Sequence, residues 1–163
     1  MRAAGFRISK RRVFEANTLF DTSNGDLRST GRLLRVRQAG TRGVVTYKGR
    51  EAEGKYKDRE ELETDVSDPQ RTAEILTRLG FVAGFRYEKY RTEYKHPGEA
   101  GVATLDETPV GVFLELEGRP AWIDRTAKRL GFPESAYITA SYYGLYAAWC
   151  RDRGLQPTNM IFE

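Results

Sequence analysis

From residue 30 to residue 118 the dominant period is two, and a period of two dictates strands. In "RLLRVR", Leu34 and Val36 share one side while Arg35 and Arg37 share the other. In "VVTYK", Val45 and Tyr47 oppose Val44, Thr46 and Lys48. "KYKDREELE" carries Lys55, Lys57, Arg59, Glu61 and Glu63 at alternate positions, an all-charged row. In "EKYRTEY", Tyr90 and Tyr94 oppose Lys89, Arg91 and Glu93. "VATLD" ends on Asp106, and in "VFLELE" Val112, Leu114 and Leu116 oppose Phe113, Glu115 and Glu117. Turn-forming stretches separate these runs: "SNGD" at 23–26, "AGTRG" at 39–43, "HPGEAG" at 96–101 and "TPVG" at 108–111.

An ordinary antiparallel sheet with one side in water would carry a mixture of Thr, Ser, Gln and Lys on that side. Here one side of strand after strand carries Arg, Lys, Glu or Asp. If the sheet curls, those sides meet and enclose ions; if it stays flat, they form a charged surface. Clustered cations held away from water repel one another unless they are compensated. Carboxylates on neighbouring strands compensate them, and so would a polyanion such as a phosphate chain. Arginine forks match phosphate oxygens and lysine adds point charge. Asp106, Glu115 and Glu117 are oxygen donors of the kind that suit magnesium or manganese. The two readings, a metal–polyphosphate site and a solvated charged face, both stand on spacing alone.

Helices flank this region. Asp68 and Pro69 form an N-cap and first turn for "AEILTRLGF", in which Ala73, Ile75, Leu76 and Leu79 fall at helical spacing. Pro120 opens a second helix with Ile123, Ala127 and Leu130 on one side, ending in "AKRLGF". Ser141 caps a third that carries Leu145, Ala148 and Trp149 and stops near Gly154. Tyr142, Tyr143 and Tyr146 read as packing or interface residues, and "TNMIF" as a short extra strand. The opening "MRAAGF" has the same helix-ending form as "RLGF" without a helix before it. The expectation is therefore a unit entered partway through.

The chain has 163 residues, 39% hydrophobic and 31% charged, which fits a single domain spanning 1–163. Neither a membrane-length apolar run nor a signal peptide is visible, so neither a membrane nor a secretory route is expected. One cysteine, Cys150, makes no internal disulfide and fits a reducing cytoplasm; it lies in the apolar "YAAWC". The single histidine, His96, sits in a turn. Ser-His-Asp and Cys-His chemistry therefore lack their partners. A net charge of +4 and a pI of about 9.2 favour anionic partners. Nucleic acid ranks low among them, because carboxylates interleaved with the cations repel a phosphate backbone.

The succession "NTLFDT", "GRLLRVR", "VVTYKG", "REELE", "EKYRTEY", "LDETPVGVFLELEG", "LGF" and "SYYGL" resembles the CYTH superfamily, over about residues 5–146. That superfamily includes class IV adenylate cyclases, thiamine triphosphatases and bacterial inorganic triphosphatases. The resemblance implies an α+β fold: an antiparallel eight-stranded barrel forming a triphosphate tunnel, with helices outside. It implies that Arg35, Arg37, Lys48, Arg59, Lys89 and Arg91 bind triphosphate. Asp106, Glu115 and Glu117 would bind Mg²⁺ or Mn²⁺, and Glu61 is an acidic position facing the tunnel. The family's first strand, bearing Glu-x-Glu-x-Lys, has no counterpart here. The barrel is thus expected to be open, the catalytic residues are left unassigned, and a homodimer supplying the strand is one expectation. The implied activity is metal-dependent hydrolysis of a triphosphate. Conversion of ATP to cyclic AMP and pyrophosphate is the alternative, and a non-catalytic polyphosphate- or nucleotide-binding module a further one.

Overall fold

In the computed structural model, which describes residues 1–51 and 59–163, one antiparallel sheet organises the chain. Its strands are β1 (Arg7–Thr22), β2 (Leu33–Ala39), β3 (Arg42–Lys48), β4 (Glu61–Val66), β5 (Phe81–Lys95), β6 (Val102–Thr108) and β7 (Gly111–Glu117). They lie in the order β4-β3-β2-β1-β5-β6-β7, so the two longest strands, β1 and β5, run side by side at the centre. The sheet is not closed: β4 and β7 are its two edges among the described residues. This is the open form of the expected α+β sheet, with seven strands described rather than eight.

The alternation read from the sequence sets the register. Arg35 lies opposite Thr46 and Arg37 opposite Val44 on β3; Arg91 lies opposite Asp106 on β6. Glu115 faces Thr104, and Phe113 faces Asp106. Paired residues of an antiparallel ladder share a face, so the ionic positions of six strands fall on one side. Lys55 and Lys57 lie outside the described residues. Arg59 is described but stands before β4 rather than in it.

The central strand β1 carries no clear period in its first half. Ser9, Lys10, Arg11 and Arg12 are all exposed, and the pairing with β5 shifts register between Ile8 and Lys10, between Lys10 and Val13, and between Thr18 and Phe20. The first two shifts, each with an extra residue on β1, break the alternation that would have announced a strand. From Glu15 onward the period returns, with Glu15 and Asn17 buried on the ionic side.

The helices are α1 (Asp26–Ser29), α2 (Pro69–Arg78), α3 (Pro120–Arg129) and α4 (Tyr142–Arg151). Asp68 caps α2 by accepting from the Arg71 N–H, and Ser141 caps α4 by accepting from the Gly144 N–H. The opening residues form a single 3-10 turn, Arg2–Ala4, ended by Gly5 at φ 84°. On the side away from the ions, Trp122 of α3 joins buried Phe6 and Ala103, with Tyr94, Leu114 and Leu116 beside them. The helix α4 differs from the expected outer position. Its first residue, Tyr142, sits over the ionic side, stacked on Tyr87 and edge-on to Phe113. An aromatic ring with a hydroxyl tip accounts for this: it packs on rings and still satisfies a polar neighbour. Beyond α4, Met160 forms a parallel bridge with Tyr87, so "TNMIF" does pair with the sheet, through one residue. Cys150 is buried and unpaired, as expected of a core residue. No helix among the described residues is long and apolar enough to cross a membrane.

Candidate phosphate-binding site

Three adjacent strands supply the centre of the site. The strand β2 offers Arg35 and Arg37, β5 offers Tyr87, Lys89 and Arg91, and β1 between them offers Glu15 and Asn17. Register brings Glu15 opposite Lys89, and Asn17 between Arg37 and Tyr87. Arg37 donates through Nε to Asn17 Oδ1 at 2.8 Å, and its Nη1 lies 3.4 Å from Glu15 Oε1. Arg35 donates through Nη2 to Thr46 Oγ1 at 2.9 Å and through Nη1 to the Tyr87 hydroxyl at 3.4 Å, with Glu63 Oε2 at 3.7 Å.

Asp106 gathers the other two cations. Its Oδ1 accepts from Arg91 Nε at 2.7 Å, and its Oδ2 accepts from Lys89 Nζ at 2.7 Å and Arg91 Nη2 at 2.5 Å. Arg91 also donates to Glu115. The Tyr142 hydroxyl completes the set by donating to Asp106 Oδ2 at 2.5 Å. Lys89 is 1% exposed and Asp106 0%, so neither charge is screened by bulk water. Burial opposes ionisation of Asp106, yet the Arg91 hydrogen bonds and the charges of Lys89 and Arg91 outweigh it and bring the carboxyl down to about 2. Burial likewise opposes the Arg91 charge, and hydrogen bonding to Asp106 with the charge of Glu115 raises it above its ordinary value. The Glu115 carboxyl is lowered against burial by Lys89 and Arg91.

Tyr87 reports the sign of the field. Burial alone would raise its phenol, but the charges of Arg35, Lys89 and Arg37 hold it below the ordinary value. Tyr142 goes the other way: burial and the charges of Glu115 and Asp106 push its hydroxyl up, so it stays protonated and donates. The site is thus positive at its centre and lined with acceptors toward β6 and β7. Three of its buried polar atoms, Glu15 Oε2, Asn17 Nδ2 and Arg35 Nε, have no hydrogen-bond partner among the described residues.

Four of the six expected phosphate-binding cations, Arg35, Arg37, Lys89 and Arg91, therefore converge. Lys48 lies further along β3 and pairs with Glu61 at 2.8 Å. Arg59 lies 3.4 Å from Glu51. Asp106 and Glu115 adjoin the cations, whereas Glu117 is exposed at the end of β7. Among the described residues no three acidic, histidine or cysteine side chains come together as a ready-made metal centre. Sequence reasoning missed Glu15, Asn17, Thr46, Tyr87 and the polar role of Tyr142. The alternation of "FEANTLF" carried a signal for the first two; nothing local marks Tyr142, which reaches the site from a helix.

Comparison with known proteins identifies the family. The family model of the CYTH domain matches residues 4–128. A Methanocaldococcus jannaschii protein named as a putative adenylate cyclase is 33% identical over 118 residues, covering 72% of this chain and 66% of that protein, just under two thirds of its length. The PH1012 protein of Pyrococcus horikoshii is 25% identical, with a TM-score of 0.74 and coverage of 86% of each chain. A Hippeastrum protein described as a putative adenylyl cyclase with a dominant triphosphatase activity shares the fold at 19% identity. Its TM-score is 0.66, and the match covers 92% of this chain and 86% of that one. With the family model matching residues 4–128, the chain belongs to the CYTH domain family.

Proposed function

We propose that this protein hydrolyses triphosphate-bearing substrates, inorganic or organic, in a metal-dependent reaction. The observation that carries the reading is the gathering of Arg37, Lys89 and Arg91 on the buried carboxylates Glu15 and Asp106, with Arg35 on the same face between Thr46, Tyr87 and Glu63. Each of these cations is paired with a carboxylate. A phosphate chain entering the site would replace carboxylate oxygens with phosphate oxygens, and the Arg91 fork, bidentate on Asp106, suits a phosphate in the same geometry. Arg35 and Arg37 would hold one end of the chain and Lys89 and Arg91 the other, fixing it against the face while charge develops at the reacting phosphoryl group.

The oxygen donors suit magnesium or manganese held by one or two carboxylates together with phosphate oxygens, rather than by a protein cage. Of the acidic residues expected to bind it, Asp106 is taken up by Lys89 and Arg91, so Glu115 and Glu117, two positions apart on one side of β7, are the carboxylates that would hold such an ion, and Glu61 with Lys48 lies toward the opposite edge. Such an ion would neutralise phosphate charge and polarise the phosphoryl group.

A second reading is favoured by the name of the Methanocaldococcus jannaschii relative: the same face would hold ATP, the ribose 3′-hydroxyl would attack the α-phosphorus, and pyrophosphate would leave. Binding without turnover is the remaining possibility for such a face. One experiment separates the three. The protein is incubated with tripolyphosphate, thiamine triphosphate and ATP in Mg²⁺ or Mn²⁺, and the products are resolved by phosphorus NMR. Orthophosphate release is expected. Cyclic AMP with pyrophosphate would replace this reading by the cyclase, and binding without products by the module.

A further inference from the structure

We infer that Tyr142 is a positioning residue of the phosphate site, acting through Asp106 on Lys89 and Arg91. The inference rests on the proposed reading of the face as a phosphate site and adds a residue to it from outside the sheet.

Asp106 is fully buried and takes four hydrogen bonds, two from Arg91, one from Lys89 and one from Tyr142. Lys89 and Arg91 are the donors that a phosphate chain would draw away. When they turn to phosphate, Asp106 remains ionised in a place water does not reach, and a buried carboxylate short of donors is costly. Among the described residues the Tyr142 hydroxyl is the one donor on Asp106 that carries no charge, and it has no reason to follow the ligand. It is held in place independently of Lys89 and Arg91, since its ring stacks on Tyr87 at 5.4 Å and lies edge-on to Phe113 at 6.0 Å. Capping of α4 by Ser141 fixes its backbone. Tyr142 therefore lets Asp106 share its cations without being stranded, and its effect is larger on ligand binding than on folding.

The test is isothermal titration calorimetry with sodium tripolyphosphate, run once in EDTA and once in Mg²⁺. The proteins are wild type, Y142F, D106N, the double variant and R35A. Y142F keeps the ring and removes only the hydroxyl; near-UV circular dichroism and a cooperative melt verify that it is folded. Its affinity is expected to be about tenfold weaker in both buffers, and in the D106N background the same change is expected to alter affinity less than twofold. Wild-type affinity in Y142F with loss of binding in R35A would overturn this inference and leave the site standing. Wild-type affinity in both variants would overturn the site and the inference together. A defect confined to the Mg²⁺ buffer, or one fully additive with D106N, would show that Tyr142 acts otherwise than by positioning the cations through Asp106.

Discussion

Lys89 Nζ stands 2.7 Å from Asp106 Oδ2, with both side chains shut off from solvent at the junction of β5 and β6. A pair of this kind adds little to stability against a well-packed apolar pair, but breaking it exposes the fold to an uncompensated buried charge.

Replacing Lys89 by Met tests that balance. Arg91 and Tyr142 remain on Asp106, so the loss should lie near the lower end for a broken buried pair, about 3 kcal/mol by urea unfolding. Tripolyphosphate affinity should fall at least tenfold by calorimetry.

Asp106 also fixes a pH dependence. Its carboxyl lies at about 2 in the folded protein against an ordinary 3.8. A carboxyl depressed by folding stabilises the protein above its unfolded value, and that contribution drains away as pH falls toward the folded one. Wild type should therefore melt above D106N at pH 7, and the gap should narrow from about pH 4 to pH 2 in thermal melts. A gap that stays constant over this range would contradict the ion pairing.

Glu115→Gln and Glu117→Gln are expected to raise the Mg²⁺ concentration needed for half-maximal phosphate release. Glu115→Gln also removes a charged partner of Arg91, so its effect on metal-free tripolyphosphate binding should exceed that of the exposed Glu117→Gln.

The outer core makes a prediction free of function. A Cβ added at Gly101 would lie 2.3 Å from the Trp122 ring, in a cluster that also holds Phe6 and Ala103. Gly101→Ala should destabilise by about 1–3 kcal/mol in urea, the range for overpacking a filled core.

At the other end, Met160 is buried with Tyr87, Tyr146 and Cys150, and its main chain bonds to Arg86 and Glu88. Met160→Ala should cost about 2–5 kcal/mol by the same measurement. Because Tyr87 supports Arg35, it should also weaken phosphate binding modestly.

The sequence by itself determined which side chains share a face. Arg35 and Arg37, Lys89 and Arg91, and Glu115 and Glu117 alternate with apolar neighbours, and a pleated strand turns that spacing into a side with no further information. The caps Asp68 and Ser141 and the turn glycines were legible for the same local reason. The strand β1 was not, because its bulges against β5 interrupt the period where exposed cations already obscure it. Only the tertiary structure decided that β1 runs between β2 and β5, bringing Glu15 to Lys89 and Asn17 to Arg37. Only it decided that the Tyr142 side chain reaches from the start of α4 to Asp106. Both are contacts between positions far apart in the chain, and local spacing carries no record of which distant strand or helix will be packed alongside.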